Sequence, residues 1–98
     1  MIFFSSRLTK KEKRRNYRLK KLYSIDLGTY LDLLMEQDFK CGICGSHADD
    51  LDHNLYVDHD HESGEIRGLL CRTCNLGLGL FKDSANLLLN AIKYLNKK

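Results

Sequence analysis

No stretch of about 18 apolar residues occurs in the chain, which excludes a membrane-spanning helix. The apolar start Met1-Ile2-Phe3-Phe4 gives way at once to Ser5-Ser6-Arg7 and a basic run. That is too short for the apolar region of a signal peptide, so the expectation is an intracellular, cytoplasmic protein. There is no low-complexity segment and no internal repeat beyond two paired cysteine motifs. Gly77 and Gly79 lack the strand-to-helix frame of a Gly-x-Gly-x-x-Gly phosphate loop. Core-forming material is also scarce. The 98 residues suffice for one domain, or for one small core with an appended arm. A chain of roughly 60 residues buries only about 60% of its unfolded surface, and this one is not much longer. A small core of this kind often needs a staple.

Acid is nearly absent from the first 21 residues. Nine Lys or Arg stand there against Glu12 alone, a net +8, whereas residues 22–98 carry a net −5. A basic arm on an acidic body points to an anionic polymer as partner, with DNA or RNA ahead of a membrane surface. Lys10, Lys11, Arg14, Arg15 and Arg18 are the candidate phosphate contacts; the other reading is a solvated tail. Thr9-Lys10-Lys11-Glu12 fits a capping box that would start a helix. Its apolar residues, Leu8, Tyr17, Leu19, Leu22 and Tyr23, are too sparse for a well-packed face, so the free helix should be marginal and phosphates could order it.

A second helix is expected over Thr29 to about Gln37, with Leu31, Leu34 and Met35 on one stripe and Gly28 separating it from the first. Leu55-Tyr56-Val57 and Ile66 to Leu70 read as strands flanking the loop Asp60 to Glu65, a β-hairpin. Helices should follow over about Thr73 to Phe81, and from an N-cap at Asp83 or Ser84 to about Asn96. The last helix has Leu88, Ala91, Ile92 and Leu95 on its apolar face and Lys93, Lys97 and Lys98 towards its end. It would either pack back on its own core, the commoner arrangement for one short helix, or pair with a second subunit.

Cys41-x-x-Cys44 and Cys71-x-x-Cys74 lie twenty-six residues apart. Two residues between sulfurs let a turn present both thiolates to one tetrahedral ion, with Gly42 and Gly45 allowing amides to approach the sulfurs. Structural zinc is the favoured reading over two disulfides, a redox pair or an iron–sulfur cluster. Such a site contributes folding free energy on the order of 10 kcal/mol in small zinc-dependent peptides. It has no open position, so any catalysis lies elsewhere.

Val57-Asp58-His59-Asp60-His61 is the densest run of potential ligands. On a strand, Asp58 and Asp60 would face one way and His59 and His61 the other, until a turn at Asp60 loosens the alternation. Alone, the run fits a polar hairpin end equally well. Its setting between the knuckles, followed by Gly64-x-Ile66-Arg67-Gly68-Leu69-Leu70-Cys71-x-x-Cys74-Asn75, resembles the recombination endonuclease VII family of phage nucleases. That family is a branch of the HNH, or ββα-metal (His-Me finger), endonucleases. The resemblance covers about residues 29–81.

The resemblance implies a small zinc-stapled α+β domain with a ββα-metal core and flanking helices: a basic arm over 1–24 and a nuclease domain over 25–98. It implies a phage or mobile-element origin. It also implies a metal-dependent DNA endonuclease that nicks or cuts with relaxed sequence specificity. The residue matching His59 would be the general base, a task suited to imidazole. Those matching Asp58 and Asn75 would hold one catalytic divalent ion, magnesium or manganese given their oxygen donors. His61 would contact the scissile phosphate or help stabilise its charge. Arg67 would be either a phosphate clamp or a surface arginine. Asp60 and Glu65 would assist the metal, orient a histidine or be solvated. His47 and His53, among Asp49, Asp50 and Asp52, fall in what reads as a variable loop. The protein would act as a monomer or homodimer. The competing functions are a dimeric four-way-junction resolving endonuclease, a non-catalytic zinc-knuckle nucleic-acid-binding module, and a zinc protein that binds another protein.

Overall fold

The computed structural model describes residues 9–23 and 25–97, and for Leu22 and Tyr23 the backbone alone. Arg7, Leu8 and Lys98 lie outside the described residues. Among those described, the elements run α1 (Lys10–Tyr23), α2 (Leu27–Glu36), a short 3-10 turn (Ala48–Asp50), β1 (Tyr56–His59), β2 (Ile66–Leu70), α3 (Arg72–Leu80) and α4 (Ala85–Leu95). This is a small α+β fold of four helices and one two-stranded antiparallel sheet among the described residues. No described helix is long and apolar enough to cross a membrane.

The capping box forms as expected. Thr9 Oγ1 accepts from the Glu12 amide at 3.1 Å, and Glu12 Oε1 accepts from the Thr9 amide at 2.9 Å. One apolar residue of α1 nevertheless finds a partner: Leu19 is buried in the core, whereas Tyr17 is exposed, and the Arg15 guanidinium lies 4.4 Å over the Tyr30 ring. Asn16 Oδ1 accepts from the Leu27 amide at 2.8 Å, tying α1 to the start of α2.

That start lies two residues earlier than expected. Asp26, not a residue near Thr29, is the N-cap, its carboxylate accepting from the Thr29 amide at 2.8 Å. Gly28 is therefore inside α2 and separates nothing. The buried face of α2 is Leu27, Tyr30 and Leu34, with Leu31 half-buried and Met35 exposed.

The core gathers these residues with Leu55, Val57, Leu69, Leu70 and two cysteines, Cys41 and Cys71. The Tyr30 hydroxyl donates to the Leu55 carbonyl, fixing α2 at the entrance to β1. β1 begins at Tyr56 and extends through His59, further into the histidine run than the sequence suggests. α3 packs on both strands. α4 does not pack back on the core: no residue of it is fully buried, and Leu89, Ile92 and Leu95 are exposed. Its N-cap is Ser84 rather than Asp83, Ser84 Oγ accepting from the Leu87 amide at 3.2 Å.

Candidate active site

The four cysteines come together where β2 ends and α3 begins. Their sulfurs all lie within 4.8 Å of one another, and Cys44 Sγ is 3.7 Å from Cys71 Sγ. Sulfurs at the corners of a zinc tetrahedron with Zn–S of about 2.3 Å sit roughly 3.8 Å apart, so the donor set and spacing fit zinc. All four are free cysteines. Cys71 is the N-cap of α3, and its sulfur accepts from the Cys74 amide at 3.4 Å. The Ile43 amide approaches Cys41 Sγ at the same 3.4 Å. Burial pushes the Cys41 thiol up, but the amides of Cys71, Ile43 and Cys44 outweigh it and bring the pKa down to about 6. Burial and the neighbouring thiols push Cys74 up to about 12.

Asn75 comes directly after Cys74, in the first turn of α3, so the helix start held by Cys71 also sets where Asn75 lies. Asp58, His59, His61 and Asn75 line one cleft of ≈ 290 Å³, with Leu78, Gly79 and Asp83 completing its wall. Asp58 is buried; His59 and Asn75 are half-buried. The strand ends at His59 and the chain turns at Asp60, as expected. The His59 and His61 rings lie 5.2 Å apart. Asp60 builds that turn: its carboxylate accepts from the amides of Glu62 and Ser63 at 2.8 and 3.0 Å. The Ser63 and Glu62 amides hold its carboxyl below the usual carboxylate range. Gly64, at φ 77°, closes the turn with its amide on the Asp60 carbonyl at 2.8 Å. Glu65 is exposed and contributes its carbonyl to the Asp60 amide.

Arg67 is engaged by two carboxylates. It donates to both oxygens of Asp58 and both oxygens of Asp83, at 2.8 to 3.1 Å. Of the loop histidines, His53 receives the Arg72 amide on Nε2 at 3.0 Å and so holds the first turn of α3. His47 caps the 3-10 turn. Lys11, Arg14, Arg15 and Arg18 line a second groove, of ≈ 370 Å³, with Tyr30, Asn54 and Tyr56, while Lys10 at the start of α1 is exposed. Val57 belongs to both the groove and the cleft, so β1 is a shared wall.

With both knuckles, the hairpin and both following helices in place, comparison with known proteins decides the family. The sequence profile of recombination endonuclease VII matches residues 16–97. The chain belongs to the recombination endonuclease VII family. Similar proteins include the Gene 59 protein of Mycobacterium phage D29, 41% identical over 76 residues, which are 76% of this chain and 46% of the relative. The Gene 59 protein of Mycobacterium phage L5 is 39% identical over 74 residues, 74% of this chain and 44% of the relative. The chain thus spans less than half the length of these curated relatives. No solved structure matches. The endonuclease VII match takes in most of α1 as well as α4, well beyond the stretch that carried the resemblance in the sequence.

Two residues at this site escape sequence reasoning. Asp83 reads as a helix cap, and only the fold turns it onto Arg67. Gln37 reads as the end of α2, yet its side chain grips β2 beside the knuckle. Neither carries a local sequence signal for these contacts.

Proposed function

We propose that the protein is a metal-dependent DNA endonuclease of the ββα-metal class, hydrolysing phosphodiester bonds with relaxed sequence specificity. The observation that carries this reading is the convergence of Asp58, His59, His61 and Asn75 on one cleft. Membership of the recombination endonuclease VII family supports it. In this reading residues 1–24 act as a basic arm and residues 25–98 as the nuclease domain.

Asp58 and Asn75 are the ligands of the divalent ion. One carboxylate and one carboxamide are oxygen donors, which fit magnesium or manganese rather than a thiophilic metal. Arg67 uses two of the roughly four acceptor directions of the Asp58 carboxylate and leaves the others available. A divalent ion held there supplies charge stabilisation at the phosphate and the departing 3′ oxygen. His59 takes the proton of the attacking water. His61, exposed at the mouth of the cleft, contacts the scissile phosphate. Lys11, Arg14 and Arg18, with Lys10 beside them, hold the flanking phosphates without reading bases.

One specific observation favours a second reading, a dimeric enzyme that resolves four-way junctions. α4 leaves Leu89, Ile92 and Leu95 exposed, and a second copy would cover them. Symmetric cutting of a junction needs two active sites.

The deciding experiment is cleavage of supercoiled plasmid with magnesium or manganese by wild-type and His59→Ala proteins of equal zinc content. Conversion by the wild type alone supports the nuclease. A four-way junction substrate then separates the two nuclease readings, and failure on both substrates favours the non-catalytic binding module.

A further inference from the structure

Arg67 is the extra residue of a β-bulge. Asp58 faces Gly68 and His59 faces Ile66, so Arg67 has no partner across the hairpin. A bulge re-aims the side chain it contains, and this one brings the guanidinium onto Asp58. Nε donates to Asp58 Oδ2 at 2.8 Å and Nη2 to Oδ1 at 3.1 Å. The adjacent edge, which shares Nη2, meets Asp83, Nη1 to Oδ2 at 3.0 Å and Nη2 to Oδ1 at 2.9 Å. Both are two-point contacts of a kind only the arginine fork makes. Asp83 and Asp58 hold the guanidinium proton more tightly than usual, and Arg67 in turn depresses the Asp83 carboxyl.

Asp83 reaches this position through an uncommon backbone. Lys82 and Asp83 are consecutive non-glycine residues in the left-handed region, each at φ 56°. Such residues persist where surrounding contacts over-determine them. The Asp83 amide donates to the Leu78 carbonyl at 2.8 Å, fixing the turn between α3 and α4.

The charges explain what the second carboxylate does. Asp58 and Arg67 alone sum to zero, which leaves a cation little net attraction. Asp83 returns one negative charge to the group. It also keeps Arg67 from swinging away, so the Asp58 carboxylate has a single orientation at the cleft shared with Asn75.

We propose that Asp83 is a positioning residue for the oxygen-ligand site: through Arg67 it fixes the Asp58 carboxylate, and it restores the negative charge that Arg67 cancels. This rests on the reading of Asp58 and Asn75 as ligands of a divalent ion.

The test is Mn²⁺ binding to the zinc-loaded protein without DNA, followed by electron paramagnetic resonance. It compares wild type, Asp58→Ala, Asp83→Asn, Asp83→Glu and Arg67→Lys, with circular dichroism and zinc content checking each fold. The wild type is expected to bind and Asp58→Ala to fail. Asp83→Asn should bind about ten-fold or more weakly, the usual scale for a residue behind a metal ligand, and Asp83→Glu should recover part of the loss. In cleavage, Asp83→Asn should need more metal for half-maximal rate at unchanged DNA affinity. Wild-type Mn²⁺ affinity in Asp83→Asn overturns the proposal and leaves the ligand reading intact. Should Asp83→Asn fail to fold, Arg67→Lys decides on the positioning, since it keeps the cation and loses the fork; wild-type affinity there overturns the positioning role of Asp83. A wild type that binds no better than Asp58→Ala overturns both readings.

Discussion

Gln37 pairs with Leu69 through both polar atoms of its side-chain amide. Oε1 accepts from the Leu69 N–H at 2.9 Å, and Nε2 donates to the Leu69 carbonyl at 3.0 Å, as a neighbouring strand would. Nε2 also reaches the Lys40 carbonyl at 2.8 Å, linking the end of α2 to the approach to the first knuckle. A two-stranded sheet has two open edges, and this amide satisfies one of them at the most buried residue of the core. It also explains Gly68: a Cβ there would lie 2.8 Å from Gln37 Oε1.

Gln37→Ala should therefore destabilise the fold by about 1–3 kcal/mol in chemical denaturation, because it leaves the N–H of buried Leu69 without its partner, while the Leu69 carbonyl keeps the Gly42 amide at 3.0 Å. Gly68→Ala should also destabilise, by displacing the amide. In the Gln37→Ala background its cost should shrink, since the obstructing oxygen is gone. Equal costs in both backgrounds would rule out this coupling.

Replacing Cys41 with Ser should lose zinc and fold together, as seen in metal stoichiometry and circular dichroism. A zinc-free variant that keeps the native spectrum would show that the cluster is not a folding staple.

His59→Ala should keep zinc and secondary structure while slowing plasmid cleavage about a hundred-fold to ten-thousand-fold, the range for losing a general base. A variant that still cuts at the wild-type rate would remove His59 from the chemistry.

Salt titration separates the groove from the cleft. The plot of log binding constant against log salt should become shallower by about 0.9 for each phosphate contact removed. The triple variant of Lys11, Arg14 and Arg18 to Ala should lose up to about three such increments. An unchanged slope would mean that the groove does not meet the phosphates. Arg15→Ala should lower thermal stability as well, because its guanidinium covers Tyr30.

Acid stability has a traceable component at Asp26. The backbone amide of Thr29 holds its carboxyl below the ordinary value of 3.8. A carboxyl depressed in the folded state stabilises fully above its unfolded pKa. That contribution disappears as the pH falls through the folded value. As the pH falls below the ordinary value of 3.8 the wild type should lose this increment, whereas Asp26→Asn, which keeps a cap without a titrating group, should not. Parallel stability curves for the two proteins would contradict the assignment.

The parts of the site legible in the sequence are those set by spacing. Two residues between cysteines, and an asparagine next to Cys74, fix relative positions within a turn or two, so the knuckle and Asn75 fall where expected. The hairpin is legible from its turn residues, and the capping box at Thr9 from a local hydrogen-bond pattern. The company of Arg67 is not legible. It depends on a one-residue slip in strand pairing, which reverses the face a side chain takes. The start of α2 is misplaced because Gly28 reads as a break, whereas the Asp26 cap and burial of Leu27 outweigh the modest helix penalty of one glycine. The docking of α1 is hidden for another reason: a single leucine, Leu19, a stacked arginine and the Asn16 side chain hold it, and none of these makes a periodic stripe.

The four thiols beside β2 also decide what becomes of the chain when no metal arrives. Sulfurs within 4.8 Å of one another need move only a few ångströms to bond at about 2 Å, and four cysteines can pair in three ways. Any of those pairings would draw the knuckles out of the tetrahedral spacing that places α3. A zinc ion bound first acts as a protecting group in the synthetic chemist's sense, masking all four nucleophiles at once. The order in which metal and oxidant reach the newly made chain then selects between one folded product and a mixture of cross-linked ones.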